Sequence, residues 1–226
     1  MSFGILVISC IHNDLENVLN YFDKIAQLKF DVIVCPGDFT DVPPKGFSQT
    51  AIGKLILEEL KLFGKPILAV PGSWDKDFLP ELELAKVSIH GKGRIVGDVG
   101  FFGYGGAKTP FNLPLEPSED ELRRGLESAY KQVETAKVKV LVTHAPPART
   151  SLDRISSGAH VGSETVREFI EIKKPDVAIC AHIHEAKGVD EVGGTKIINA
   201  GRFPEGYCGL VTITGSDVEA EIVNLT

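Results

Sequence analysis

Short apolar runs rich in β-branched residues alternate with segments whose apolar positions recur every three or four residues. Gly4 to Ser9 reads as a strand. A helix follows, capped by Asn13 or Asp14, with the stripe Leu15, Val18, Leu19, Phe22, Ile25 and Ala26. Asp31 to Cys35 is a second short strand. Ser48 opens a second helix, with Ile52, Leu55, Ile56, Leu60 and Phe63 on one face and Gly64 as its stop. Lys65 to Pro71 is a third strand. This β-α-β-α-β order predicts a parallel sheet with right-handed crossovers.

Farther on, Val87 to His90 and Arg94 to Tyr104 read as sheet, with glycines at the turns. Ser118 and Glu121 form a capping box for a helix with the face Leu122, Leu126, Ala129, Tyr130 and Val133. Lys137 to Thr143 returns as strand. Thr165 and Glu168 predict a capped helix through Val166, Phe169 and Ile170, and Asp176 to Cys180 is again strand. The tail reads as a meander: Gly188 to Val192, Thr195 to Asn199, Cys208 to Thr214 and Val218 to Val223, with turns at Gly193-Gly194 and Gly215-Ser216. Ala107 to Pro117 is a proline-rich surface loop. No repeat or linker interrupts the 226 residues, so residues 1–226 are expected to form one domain.

A net charge of -7 argues against an extended nucleic-acid surface but not against a small nucleotide. The N-terminal apolar stretch is short and lacks a basic start, unlike a signal peptide. No apolar run is long enough to span a bilayer, and the expected compartment is the cytoplasm. Cys10, Cys35, Cys180 and Cys208 lack metal-knuckle spacing and are expected as reduced, buried residues.

Candidate chemistry recurs just after the strands. His12 follows the first, Asp38 and Asp41 the second, and Asp75 the third. His144 follows the strand ending at Thr143, and His182 and His184 follow the one ending at Cys180. In an open α/β sheet such strand ends meet at one edge, where ligands bind. Taken singly each residue has a structural explanation: a turn cap for Asp38, a loop brace for His144. Jointly, four histidines and a carboxylate suit Zn, Mn or Fe, and a bridging carboxylate such as Asp38 can hold two cations about 3.5–4 Å apart.

In order, Cys10-Ile11-His12, Gly37 to Asp41, Gly72 to Asp75, His144 and Ala181-His182-Ile183-His184 resemble the five motifs of the calcineurin-like metallophosphoesterase superfamily. The chain is more narrowly similar to small phosphoesterases widespread in archaea and related to cyclic-nucleotide phosphodiesterases. Gly105-Gly106, Thr109-Pro110-Phe111, Thr143 to Pro147 and Gly158 to Ser163 carry that likeness. The resemblance implies an α/β fold of two facing mixed β-sheets flanked by helices. It implies a first metal held by Cys10, His12, Asp38 and His184, and a second held by Asp38, Ser73, His144 and His182. Asp38 and His144 would stand at the reaction itself. The implied activity is hydrolysis of a phosphomonoester or phosphodiester by metal-activated water, with a small phosphate ester or nucleotide as ligand and two divalent ions (Zn, Mn or Fe) as cofactors.

Four positions depart from the family pattern. Cys10 replaces an aspartate, Ser73 an asparagine, Trp74 a histidine and Ala181 a glycine. A thiolate at position 10 favours Zn or Fe over Mg or Mn; otherwise Cys10 is a buried thiol at an emptied site. Trp74 cannot donate a proton as histidine does, and is read as a stacking surface or a wall. Arg202 either forks onto a phosphate or is a solvated loop residue. Asp41 and His160 are read as loop braces, Asn199 as a tie to the backbone and His90 as structural. The alternative to an enzyme is a catalytically impaired binding or scaffold protein that keeps the fold.

Overall fold

The computed structural model describes residues 2–226. β1 (Ser2–Val7), β2 (Val32–Cys35) and β3 (Ile67–Ala69) are buried on both faces, so their sequences are continuous apolar runs rather than alternating ones. They pair in parallel, as the β-α-β-α-β order predicts. α1 (Leu15–Asn20), α2 (Phe22–Ala26) and α3 (Gln49–Lys61) provide the crossovers. α4 (Leu79–Leu84) follows β3. The hairpin β4 (Lys92–Val96) and β5 (Val99–Tyr104) opens the second half. α5 (Glu119–Lys131), β6 (Val138–Thr143), α6 (Glu164–Lys173) and β7 (Val177–Cys180) continue it. β8 (Gly188–Val192), β9 (Thr195–Asn199), β10 (Tyr207–Thr214) and β11 (Asp217–Asn224) complete the chain.

The strands form two mixed sheets, ordered β11-β10-β1-β2-β3 and β4-β5-β6-β7-β9-β8. Strand alternation divides the apolar side chains among three layers. Ile5, Val7, Val34 and Leu68 of the first sheet meet Phe101, Val140, Val142 and Ile179 of the second. Leu6 and Ile33 turn outward onto Ile52, Ile56 and Leu60 of α3. Phe102, Leu141 and Ala178 pack outward against Leu122 and Leu126 of α5 and Val166 and Phe169 of α6. The result is the expected pair of facing sheets flanked by helices.

Several local expectations change. The first helix breaks into α1 and α2 at Tyr21, and Leu19 of its supposed apolar stripe is 50% exposed. Arg94 to Tyr104 is sheet with a turn, as expected, in the form of the β4–β5 hairpin, whereas Val87 to His90 makes only isolated bridges. Helix α6 starts at Ser163, whose hydroxyl accepts from the Val166 amide, whereas the Thr165 hydroxyl donates to the Glu119 carbonyl. The tail is not one meander. β8 and β9 close the second sheet, while β10 and β11 join the first through β10 against β1. The capping box of Ser118 and Glu121 forms as expected. All four cysteines are buried and unpaired. Among the described residues no helix is long and apolar enough to cross a membrane.

Candidate metal centre

The strand ends β1, β2, β3, β6 and β7 place their following loops together. Beyond the strands, the Cys10 amide donates to the Gly37 carbonyl at 3.0 Å, His12 to Asp38 at 3.0 Å and Asn13 to Phe39 at 3.0 Å. These bonds hold the loop after β1 alongside the loop after β2. Cys10, His12, Asp38 and His182 all adopt left-handed backbone angles, with φ of 53°, 52°, 55° and 74°. Each such residue costs about 1–2 kcal/mol relative to ordinary backbone. Non-glycine residues held in that region by neighbouring backbone cluster at functional sites.

Two groups of side chains result, in each of which the nitrogen, oxygen or sulfur atoms lie within 4.8 Å of one another: Cys10 with His12 and His184, and Asp38 with His144 and His182. Asp38 joins them. Its Oδ1 accepts from the Trp74 amide at 3.0 Å, whereas its Oδ2 lies 3.2 Å from His144 Nε2 and 3.9 Å from His12 Nε2. The free carboxylate oxygen therefore faces both groups.

His144 Nδ1 donates to the Pro36 carbonyl at 2.8 Å. In the neutral ring that bond places the proton on Nδ1 and leaves Nε2 with a lone pair. Nε2 is buried and has no hydrogen-bond partner, and its neighbour is a carboxylate oxygen. Two electron-rich atoms so close need a proton or a metal ion between them. In the other group, His12 Nε2 and His184 Nε2 stand 3.2 Å apart, and His12 Nδ1 faces Asp41 Oδ2 at 3.4 Å. A donor set of Cys, His and carboxylate fits a transition-metal ion rather than Mg or Ca.

The electrostatics agree. Burial lowers the pKa of His12 to about 4 and of His182 to about 3, and His184 also falls. Those imidazoles are neutral at pH 7 and free to ligate. Burial pushes Asp38 up, but His144 and His12 outweigh it and hold the carboxyl below its ordinary range. The Asp38 charge correspondingly raises His144 against its burial. Burial and the Asp38 charge raise the Cys10 thiol well above its usual value, so a thiolate there requires a neighbouring cation.

Other expected residues take separate places. Ser73 is buried and its hydroxyl donates to the Ala107 carbonyl at 3.2 Å. Arg202 is half-buried, and its charge bears on Cys10, His12 and His184. Asp75 joins neither ligand group. Its carboxylate accepts from the Phe39, Thr40 and Gly72 amides and the Thr40 hydroxyl at 2.8–3.1 Å, tying the loops after β2 and β3 together. Asn199 ties the His184 loop to backbone by donating to the Ile183 carbonyl at 2.8 Å. His160 pairs with buried Asp153 at 2.6 Å, and His90 Nδ1 accepts from the Gly105 amide at 2.9 Å.

A cavity of about 770 Å³ opens over the two groups. His12, Asp38, His182 and His184 form its polar floor, and Trp74 lines it. Lys108, Phe111 and Leu113 on the loop before α5 also line it, with Ile155 and Val161; the sequence marked Phe111 and Val161 only within the Thr109-Pro110-Phe111 and Gly158 to Ser163 runs and gave none of these five a place at the site.

This two-sheet architecture, with histidines and a carboxylate gathered at one edge, is that of metallophosphoesterases. The family model for calcineurin-like phosphoesterases matches residues 3–186, and the chain belongs to that family, which normally uses divalent metal ions. An uncharacterised protein of Methanocaldococcus jannaschii is 34% identical over 201 residues, covering 86% of each chain. A Thermus thermophilus protein of known crystal structure has a TM-score of 0.75 at 20% identity, over all of both chains. A structurally and functionally characterised archaeal phosphodiesterase has a TM-score of 0.53 at 14% identity, covering 98% of this chain and all of its own.

Proposed function

We propose that the protein is a metal-dependent phosphoesterase that hydrolyses a phosphomonoester or phosphodiester of a small molecule or nucleotide. The observation that carries the reading is the orphaned His144 Nε2, buried and 3.2 Å from Asp38 Oδ2. Asp38, His144 and His182 would hold one ion, with Ser73 beside them. Cys10, His12 and His184 would hold a second, with Asp38 shared between the two. Zn, Mn or Fe fits this donor set, and the thiol favours the softer metals at the Cys10 position. When bound, such ions activate the attacking water and neutralise charge on the phosphoryl group.

The protein's own residues then have separate tasks. The Pro36 carbonyl holds the His144 ring with its lone pair aimed at Asp38. The Trp74 amide fixes Asp38 by one oxygen and leaves the other for the centre. The Trp74 side chain walls the cavity and excludes water from one side of the ester. Arg202 supplies positive charge next to the Cys10 group and would attract a phosphate. The family membership and the fold likeness to an archaeal phosphodiesterase support this class of reaction.

A second reading, a binding protein without catalysis, draws on the fully buried Cys10 thiol and on the bond from Ser73 to Ala107. Metal analysis of the purified protein separates the two, followed by assay of bis(p-nitrophenyl) phosphate with added Mn or Zn. Bound transition metal and turnover that disappears in His182→Ala support the enzyme. Metal-free protein and no turnover with any divalent ion would reject it.

A further inference from the structure

The loop between β5 and α5 has the rigidity of a built element. Its base is closed by bonds from the Gly106 amide to the Pro71 carbonyl at 2.9 Å and from the Leu115 amide to the Ser73 carbonyl at 2.9 Å. Glu116 holds its centre, accepting from the Thr109 hydroxyl and, at 2.7 Å, from the Leu113 amide. The Phe111 amide donates to the Thr109 hydroxyl at 3.0 Å. At Gly106, φ is 81°, and a Cβ there would lie 2.6 Å from Pro117 Cδ, so the two ends of the loop press together.

Yet Phe111 is 77% exposed, and it lines the cavity whose floor holds His12, Asp38, His182 and His184. The same cavity is lined by Trp74, by the aliphatic side chains of Ile155 and Val161, and by Glu185. Lys108, also exposed and in no ion pair among the described residues, sits on the same loop at the cavity wall. The cavity thus combines the ligand-type residues with one lysine, one further carboxylate at Glu185, and an apolar lining that includes two aromatic residues, Trp74 and Phe111. Its volume, about 770 Å³, is that of a pocket for a ligand well beyond inorganic phosphate.

We infer that the loop of residues 107–117 is a specificity platform, and that it selects phosphate esters carrying a flat aromatic group, which rests against Phe111 and Trp74 while the phosphate reaches the floor. Lys108 offsets the charge of the phosphate. This rests on the phosphoesterase reading for the floor and deepens it by naming the class of the esterified group. A flat group gains from stacking on aromatic faces beyond what its buried area gives, whereas a saturated ring of similar size does not. Prior rigidity of the loop lowers the cost of forming that contact.

The test uses phosphonates, which bind without being hydrolysed, so it does not depend on turnover. Metal-supplemented protein is titrated by calorimetry with 1-naphthylmethylphosphonate, its fully saturated decahydro analogue and methylphosphonate. Quenching of the single tryptophan, Trp74, is followed in parallel with the latter two, and with phenylphosphonate as the aromatic ligand. The naphthyl compound is expected to bind about 10-fold or more tighter than either other phosphonate. Phe111→Ala is expected to remove most of that advantage and to leave methylphosphonate affinity within about twofold. Phe111 is exposed, so the variant should fold, and its melting temperature checks this. Equal affinities for the three, or an aromatic advantage unchanged in Phe111→Ala, would overturn the proposal. So would a shift of the variant's oligomeric state with no change in ligand binding, since Phe111 would then serve a protein contact. If turnover is absent but the aromatic preference persists, the catalytic reading fails and the platform stands. If turnover is present without the preference, the platform fails alone.

Discussion

Asp38 Oδ2 and His144 Nε2 face each other at 3.2 Å inside the protein, and the buried His144 Nε2 has no hydrogen-bond partner. The other end of each group is occupied: His144 Nδ1 by the Pro36 carbonyl and Asp38 Oδ1 by the Trp74 amide. Backbone from the loops after β2 and β3 therefore sets the orientation of both side chains. An electron-rich pair in a buried place is stable only around a proton or a metal ion.

Removing the charge at this point should empty the centre. Asp38→Asn keeps the shape and loses the anion. It is expected to lose at least half of the bound metal and to lower hydrolysis of bis(p-nitrophenyl) phosphate by about 10²-fold or more. Zinc at 100 times its dissociation constant stabilises a binding protein by about 2.7 kcal/mol. Wild type should therefore melt higher with zinc than with chelator, and the variant should show little difference. An Asp38→Asn variant with full metal and full rate would contradict the role given to Asp38.

Cys10 should set metal preference. Its buried thiol ionises only beside a cation, and thiolate favours zinc over manganese. Loss of even an outer partner of a metal ligand lowers affinity by about 10–100-fold. Cys10→Ser should therefore weaken zinc binding by at least about 10-fold in competition with a chromophoric chelator, with a much smaller change for manganese. Equal changes for both metals would place the sulfur outside the coordination sphere.

Gly72 is as much part of the site as its polar residues. A Cβ there would lie 2.1 Å from both the Asp38 amide nitrogen and Asp38 Oδ1. Both are fixed, so the loop after β2 must move. Gly72→Ala is expected to cost about 1–3 kcal/mol in denaturant unfolding and to reduce metal uptake. Unchanged stability with intact metal content would show that the two loops can separate freely.

His90 should make the protein sensitive to acid. Burial lowers its pKa from 6.5 to about 4, and its Nδ1 must stay unprotonated to accept from the Gly105 amide. A depressed folded-state value means that the stabilisation is fully present above pH 6.5 and is lost as pH falls towards 4. The amount is on the order of 2–3 kcal/mol. His90→Gln retains an acceptor without titrating in this range, so its unfolding free energy should fall less than that of wild type between pH 7 and pH 4. Parallel pH profiles for the two proteins would count against it.

Much of the site was legible in the chain because ligand-type residues stand directly after apolar runs. His12, Asp38, His144, His182 and His184 were each found in that way, and the structure gathers them. Asp75 obeyed the same rule but joins neither ligand group: four hydrogen-bond donors use its carboxylate as a brace between loops. Nothing in the local sequence distinguishes a carboxylate facing backbone amides from one facing imidazoles. Phe111 was noted only within the Thr109-Pro110-Phe111 run and Lys108 not at all, because a proline-rich surface loop has no periodicity to say what it covers.

By itself the sequence determined the elements, the layered α/β class and the residues that border the strand ends, because these follow from local periodicity and from the rule that parallel strands share one edge. The tertiary structure alone decided that β8 and β9 stay in the second sheet while β10 crosses back to pair with β1 in the first. It alone decided that Asp38 turns one oxygen to Trp74 and the other to both imidazole groups, and that four ligand-type residues take left-handed backbone. Those outcomes depend on contacts between segments far apart in the chain, whose energies offset strain that no single stretch would accept alone.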